Sequence, residues 1–253
     1  MKLGAQFYSI RNECDTPERL GNAFRKVKEI GYDIVQISGV CDIEAELLKS
    51  YSEECSLPIT CTHKSFDSIV NDTDELIRYH KIINCPVIGL GGMPQQYTES
   101  VETVREFIKT IDKPMKKILD AGFTFAYHNH DFEFKDLGGV KIYEVLLEEA
   151  PELHFIHDVY WSRYAGEDPA KYITILGESK RMTNIHFKDM ESEPKGPICA
   201  CGEGVIDFAP LTALCEKYGI YNVLVEQDNA PNKGDSLAQM KISYEHLAPI
   251  FGK

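Results

Sequence analysis

Four residues with metal-binding side chains recur in the second half of the chain at similar spacings. Their successive spacings are 30, 28 and 40 residues, and each lies at or near the end of an apolar, β-prone run: His128, Asp158, His186 and Glu226. Two imidazoles and two carboxylates suit a borderline divalent ion such as Mn²⁺, Fe²⁺, Co²⁺ or Zn²⁺. Each residue alone has an ordinary alternative, since a strand-end Asp often caps the next helix and a lone His is often structural. The set predicts a metal site if the fold brings these strand ends together.

Predicted strands and helices that can bring these strand ends together alternate along the whole chain. Eight apolar, β-prone runs are each followed by a run with the periodicity of an amphipathic helix. The predicted strands cover residues 2–10, 33–39, 58–63, 87–92, 123–130, 153–161, 182–189 and 221–228. The predicted helices cover residues 17–30, 43–55, 73–85, 98–121, 140–149, 169–176, 208–218 and 237–251. Thr16 is predicted to cap the first helix, and Pro114 predicts a break in the fourth.

This alternation predicts parallel βαβ units and a fold of the α/β class. One strand–helix unit takes about 30 residues in a (β/α)8 barrel, so each spacing above moves one strand further around the rim. An open doubly wound sheet is the alternative, but the Gly-rich phosphate-binding turn after its first strand is missing. The sequence therefore predicts a single TIM-barrel domain covering residues 1–253.

Further polar residues near the same strand ends are candidates for the same pocket. His130 lies two residues after His128, so both would point to one side of a strand. Lys188 has the parity of His186 and is predicted to face the pocket as well. The alternative for Lys188 is a solvated side chain paired with Asp189.

The motifs around these residues resemble the xylose-isomerase-like TIM-barrel superfamily of sugar and sugar-phosphate isomerases and epimerases. The matching segments are residues 127–133, 157–161, 186–189, 202–207 and 225–226. The resemblance implies one divalent ion at positions 128, 158, 186 and 226. It favours Mn²⁺, with Zn²⁺, Co²⁺, Fe²⁺ or Mg²⁺ as alternatives, and a homo-oligomer, because relatives are often dimers or tetramers.

The first ligand position departs from the pattern of the superfamily's 3-epimerases. In those enzymes the first and last ligands are both Glu and exchange a proton on opposite faces of the sugar. Here the first position is His128. A coordinated imidazole is a poor base, which argues against the symmetric two-Glu epimerisation but not against isomerisation or elimination next to a carbonyl.

The chemistry implied is removal of a proton from carbon beside a carbonyl, through an enediolate. A metal stabilises the developing charge as a Lewis acid, and a nearby side chain moves the proton. Glu226 is the predicted ligand and base, and Lys188 and His130 are the predicted acid/base or oxyanion partners. The predicted substrate contacts are His63, Lys64, Trp161 and Glu203. Glu203, which lies between two glycines, either reaches the pocket from its loop or belongs to a turn.

The same residues are consistent with three other functions. The second hypothesis is a metal-dependent lyase or dehydratase acting on a keto-sugar, 3-keto-glycoside or keto-inositol through the same enediolate. A third is a three-zinc abasic-site endonuclease, which would need more ligands and a basic groove. A fourth is a non-catalytic sugar-binding barrel.

Composition narrows the partners to small molecules. The chain has 40 acidic residues against 27 Lys and Arg, a formal net charge of −13 that repels phosphate backbones and argues against nucleic-acid binding. No signal peptide is expected, and no apolar run approaches the ~18 residues of a membrane span. We therefore expect a cytoplasmic enzyme that acts on small molecules, and the resemblance implies that these are carbohydrates. The 8 cysteines include no CxxC pair and are expected to be reduced packing residues, with Cys199 and Cys201 as the alternative metal or redox pair.

Overall fold

Eight parallel strands close into a barrel in the computed structural model, which describes residues 1–253. In chain order the strands are β1 Lys2–Gln6, β2 Ile34–Ile37, β3 Ile59–Lys64, β4 Val87–Leu90, β5 Thr124–His128, β6 His154–Asp158, β7 Met182–Phe187 and β8 Asn222–Val225. Each strand pairs in parallel with its neighbours in the chain, and β8 pairs with β1 to close the ring. The predicted (β/α)8 TIM barrel is confirmed.

Ten helices accompany the strands. They are α1 Pro17–Ile30, α2 Ala45–Glu54, α3 Phe66–Asn71, α4 Thr73–Ile82, α5 Val101–Asp120, α6 Ile142–Glu149, α7 Val159–Tyr164, α8 Pro169–Glu178, α9 Phe208–Tyr218 and α10 Ser236–Leu247. Helix α1 begins after the predicted cap, since the Thr16 hydroxyl accepts a hydrogen bond from the backbone N–H of Arg19. The two short helices that the sequence did not predict, α3 and α7, each follow a strand end closely.

Three predicted boundaries differ for identifiable reasons. Strand β1 stops at Gln6, whose side chain accepts a hydrogen bond from the Tyr8 N–H and starts a 3-10 segment, Phe7–Glu13. Strand β6 stops at Asp158, which caps α7. The break expected at Pro114 does not occur, because this residue lies on the buried face of α5, where packing outweighs the lost backbone hydrogen bond.

The apolar core lies mainly between the strands and the surrounding helices. One large cluster packs α1, α2, α9 and α10 on their strands, and a second packs α5, α6 and α8 on theirs. Inside the barrel there is a small apolar layer made of Cys61, Val87, Ala126 and Ile156. The interior also holds polar groups, such as the Asn184 amide that donates to Thr60 Oγ1 at 3.1 Å.

The C-terminal ends of the strands carry the longest insertions. After β7 the chain forms a short antiparallel pair, Asp189–Met190 with Ile198–Cys199, before it reaches α9. All eight cysteines are free, and seven of them, including Cys199 and Cys201, are buried. None of the helices has the length and apolar character that crossing a membrane requires.

Candidate active site

The four candidate metal ligands meet at the C-terminal ends of four adjacent strands. His128 and Asp158 end β5 and β6, His186 lies near the end of β7, and Glu226 follows β8 directly. All four are buried, and their ligand atoms lie within 4.8 Å of one another. The structure thus brings together the residues that the spacing selected. That they bind an ion stays a prediction.

Hydrogen bonds orient the two imidazoles for this role. His186 Nε2 lies 2.7 Å from Gln36 Oε1, which accepts its proton and leaves Nδ1 with a lone pair. That Nδ1 is 2.8 Å from Glu226 Oε2, and no protein group donates a hydrogen bond to the Nδ1. Two facing lone pairs at this distance repel unless a proton or a cation lies between them. The donor set therefore fits a metal ion.

Asp158 performs two tasks with its two oxygens. Its Oδ1 accepts a hydrogen bond from the Trp161 N–H at 3.1 Å and caps α7. Its Oδ2 faces the cluster, 3.4 Å from His128 Nε2 and 3.8 Å from His186 Nδ1. The capping role and the metal role, which the sequence posed as alternatives, are compatible.

Lys188 places a positive charge beside the carboxylates of the cluster. Its ammonium lies 3.0 Å from Asp158 Oδ2, 3.1 Å from Glu226 Oε2 and 2.8 Å from Asp228 Oδ2. The side chain is 1% exposed, so Lys188 is not the solvated lysine of the alternative interpretation. One ammonium against three carboxylates leaves two negative charges uncompensated when all are ionised. A buried excess of this size is costly, and a divalent cation would neutralise it.

The pKa values reflect the same charges. Burial alone would raise the pKa of Asp158 and of Glu226, but the adjacent Lys188 ammonium holds both well below their usual range. Burial and the Glu226 carboxylate raise the pKa of Asp228. Burial opposes protonation of His186, but the Glu226 and Asp158 charges outweigh it and raise its pKa. The cluster attracts positive charge in any available form.

A cavity of about 470 Å³ opens above the cluster. This volume falls in the usual range for small-molecule sites. All eight strand ends contribute to its wall, which is formed by Tyr8, Ser38, His63, Gly91, His128, His130, Trp161, Lys188, Ile198, Glu226 and Asp228. His63 Nε2 and His130 Nδ1 are buried without hydrogen-bond partners, so two polar atoms are available for a ligand.

His130 is held by a buried carboxyl group. Its backbone N–H donates to Glu133 Oε2 at 2.8 Å, and Glu133 Oε1 accepts a hydrogen bond from the Tyr127 hydroxyl. Burial raises the pKa of Glu133 to about 8 and lowers that of His130 to about 3. The His130 imidazole is therefore neutral near pH 7, and its ring stacks on Phe132 at 5.7 Å. Strand β5 ends at His128. His130 therefore reaches the cavity through the turn that follows the strand, and not through the strand alternation that the sequence suggested.

The fold matches that of several solved structures, all of low sequence identity. A sugar phosphate isomerase/epimerase of Parabacteroides distasonis is 20% identical, with a TM-score of 0.81 and 98% of each chain covered. The two chains share the (β/α)8 barrel fold. The zinc-containing IolI protein is 14% identical, with a TM-score of 0.74 over 99% of this chain and 98% of its own. The "probable 3-DHS dehydratase AsbF" of Bacillus anthracis is 14% identical, with a TM-score of 0.72 over 96% of this chain and 98% of its own. No protein-family model matches the chain, and no curated protein matches it by sequence.

The predicted substrate contacts fall in three places. His63 and Trp161 line the main cavity. Lys64 lies in a smaller neighbouring cavity that shares His63. Glu203 is exposed and lines neither, so the structure gives its predicted substrate role no support. Its flanking glycines belong to a turn whose backbone N–H groups bind Asp189.

Three supporting residues were missed by the sequence analysis. Gln36 orients His186, and Asn129 accepts a hydrogen bond from the Asp158 N–H at 3.0 Å. Asp228 contacts Lys188 and lines the cavity. Each left a signal: Gln36 is a lone amide inside an apolar strand, Asn129 lies between two histidines, and Asp228 lies two residues beyond Glu226.

Proposed function

We propose that the protein is a divalent-metal-dependent sugar or sugar-phosphate isomerase or epimerase. The observation that carries this proposal is the buried cluster of two imidazoles and two carboxylates, with excess negative charge, on the floor of an open cavity. His128, Asp158, His186 and Glu226 would hold the ion. When bound, the ion supplies Lewis-acid polarisation of a carbonyl group. Mn²⁺ is the favoured ion because the resembling superfamily often binds it.

The residues around the cluster are suited to moving a proton beside that carbonyl. Glu226 is ionised and is the candidate base for forming the substrate's enediolate. His130 has a neutral imidazole with an unpartnered Nδ1, and its low pKa makes it a neutral hydrogen-bond partner for a substrate oxygen and not a base. The raised pKa of Lys188 keeps it an ammonium, so it acts as a positive charge beside developing oxyanions and not as a base.

Other cavity residues are suited to binding and orienting a sugar. The indole of Trp161 offers a flat apolar face, and the Lys188 ammonium lies 5.3 Å from the centre of its ring. His63 Nε2 can hydrogen-bond a sugar hydroxyl. These contacts are typical of carbohydrate sites, where one face is apolar and the edges are polar. The homo-oligomer expected from the resemblance stays a prediction.

A second candidate is a lyase or dehydratase. Two observations favour it: the first ligand position is His128 instead of a second Glu base, and one solved structure with this fold is described as a dehydratase. Incubation with Mn²⁺ and a panel of ketoses and 3-keto-glycosides separates the two. Isomerisation and epimerisation conserve the mass of the sugar, whereas elimination releases water or an aglycone.

Metal binding tests what both candidates share. Titration calorimetry of metal-stripped protein with Mn²⁺ and Zn²⁺ should give one ion per chain. Asp158→Asn should weaken binding by about 100-fold or more, because it removes a ligand charge. The matched control is Asp168→Asn, which makes the same chemical change at the exposed cap of α8 and should leave affinity unchanged. Wild-type protein that binds no divalent ion would contradict the proposal and favour a non-catalytic sugar-binding barrel.

A further inference from the structure

A second cavity adjoins the candidate active site. It has a volume of about 180 Å³ and shares Ser38 and His63 with the main cavity. His63 belongs to the wall of both cavities, and its ring lies 4.8 Å from the His128 ring of the cluster. The two cavities are therefore neighbours at the same rim of the barrel.

The second cavity contains an unpaired cation. Lys64, the last residue of β3, is half-buried and forms no salt bridge or hydrogen bond; its Nζ lies 4.7 Å from the centre of the Tyr79 ring. Burial lowers its pKa, because the ammonium has lost water without gaining a carboxylate partner. Asp42 lines the same cavity but is exposed and does not pair with it. Lys188, by contrast, contacts three carboxylates.

The two cavities therefore differ in electrostatic character. The carboxylates of the cluster repel an anionic group of a ligand. Lys64 is a cation without a counter-ion in a protein of net charge −13. An anion placed beside it would restore the interaction that burial removed, and charge-assisted hydrogen bonds are the strong ones. The unpartnered Nε2 of His63 lies between the two regions and can bind a hydroxyl of the connecting sugar.

We propose that the substrate carries an anionic group, a phosphate or a carboxylate, which binds Lys64 in the second cavity while the carbonyl end lies at the cluster. This inference rests on the proposed function and adds the substrate class to it. Lys64 then fixes the direction in which the sugar lies across the site. A neutral sugar would leave the cation unpaired and bind more weakly.

Three sugars that share carbons 1 to 5 test the charge preference: D-fructose, D-fructose 6-phosphate and D-fructuronate. Calorimetric titration of the Mn²⁺-loaded protein should show at least one anionic sugar binding about tenfold or more tighter than fructose. The tighter of the two anions identifies phosphate or carboxylate as the recognised group. Equal affinity for all three sugars, or no binding of any, would overturn the inference.

Variants of Lys64 locate the effect. Lys64→Met keeps the length of the side chain without its charge and should reduce the anionic preference to about threefold or less, whereas Lys64→Arg should retain it. The matched control is Lys81→Met, which removes the same charge from the exposed side of α4 and should retain the full preference. A preference that survives in Lys64→Met contradicts the inference. If Lys64→Met does not fold by circular dichroism, Lys64→Gln takes its place in the same comparison.

Mn²⁺ titration of the same preparations separates this inference from the proposed function. Wild type that binds Mn²⁺ but shows no preference for anionic sugars overturns only the Lys64 inference. Wild type that binds no Mn²⁺ overturns the proposed function, and inorganic phosphate then becomes the probe for Lys64. Phosphate binding that is lost in Lys64→Met supports an anion site, and binding that is absent or unchanged overturns it.

Discussion

At the residue scale, the candidate centre depends on side chains that orient the ligands. The amide oxygen of Gln36 accepts the Nε2 proton of His186 and leaves Nδ1 facing Glu226 and Asp158. His128 is oriented more loosely, with its Nδ1 3.3 Å from the carbonyl oxygen of Gly91. The partner of a ligating histidine sets both the tautomer and the ring position. We therefore expect Gln36 to contribute to metal affinity without touching the ion.

Replacing Gln36 should weaken metal binding without unfolding the barrel. Gln36→Leu removes the acceptor for His186 Nε2, so the ring is free to adopt the wrong tautomer, and Mn²⁺ affinity should fall about 10–100-fold. Calorimetry of metal-stripped protein measures the change. Gln6→Leu is the matched control, because Gln6 is an equally buried amide on the adjacent strand β1 whose side chain accepts a hydrogen bond from the Tyr8 N–H and forms none with the four ligands. An unchanged affinity in Gln36→Leu would show that packing alone positions His186.

At the element scale, one carboxylate shapes the loop between β7 and α9. Asp189 Oδ1 accepts from the N–H groups of Met190 and Ile206, and Oδ2 accepts from those of Gly202 and Gly204, at 2.8–3.1 Å. A Cβ on Gly204 would lie 2.4 Å from Asp189 Oδ1, so only glycine allows this approach. The same loop carries Ile198 into the cavity wall. The motif 202–204 thus serves the loop's structure, and its Glu203 points to solvent.

Loss of this carboxylate should destabilise the protein strongly. Asp189→Ala leaves four backbone N–H groups without their acceptor, and the free energy of unfolding should fall by about 3–5 kcal/mol. Denaturant unfolding followed by circular dichroism measures it. Glu191→Ala removes a carboxylate from the same hairpin, where it pairs with Lys233 at the surface, and should change stability by less than about 1 kcal/mol. Equal effects of the two substitutions would rule out the bracing role of Asp189.

At the scale of the whole molecule, folding keeps most histidines neutral. Burial lowers the pKa of five of the eight, which are His63, His80, His130, His154 and His157. His80 is the simplest case because it lies away from the cluster. Its Nδ1–H donates to the Leu76 carbonyl and its Nε2 accepts from the Thr62 hydroxyl, both at 2.7 Å. This pairing requires the neutral imidazole and joins α4 to β3.

Acid should therefore destabilise the protein through these side chains. The pKa of His80 is about 4 in the folded state and 6.5 as the reference value, so between these pH values the unfolded chain binds more protons. Stability falls as pH falls, and His80 alone should account for about 2 kcal/mol between pH 7 and pH 5. Unfolding free energies of wild type and His80→Gln at both pH values measure this share. At pH 8 the difference between the two proteins gives the cost of the lost hydrogen bonds alone. A variant as acid-sensitive as wild type would contradict the assignment.

The sequence by itself determined the architecture and the four candidate ligands. In a strand–helix repeat of about 30 residues, the carboxyl end of every strand lies at the same rim, so spacing alone selects His128, Asp158, His186 and Glu226. Helices with strong local signals, such as α1 after Thr16 and Pro17, begin and end where the sequence predicts. These features depend on periodicity and capping, which act within a few residues.

Only the tertiary structure decided which groups these residues meet. Gln36 reaches His186 from 150 residues away because the barrel closes, and no local pattern specifies that pair. The Lys188 ammonium pairs with three carboxylates and not with Asp189, and Lys64 lies in the smaller cavity next to the main one. Partners across a closed barrel are set by the register of all eight strands together. Charge balance and cavity shape are therefore properties of the whole fold.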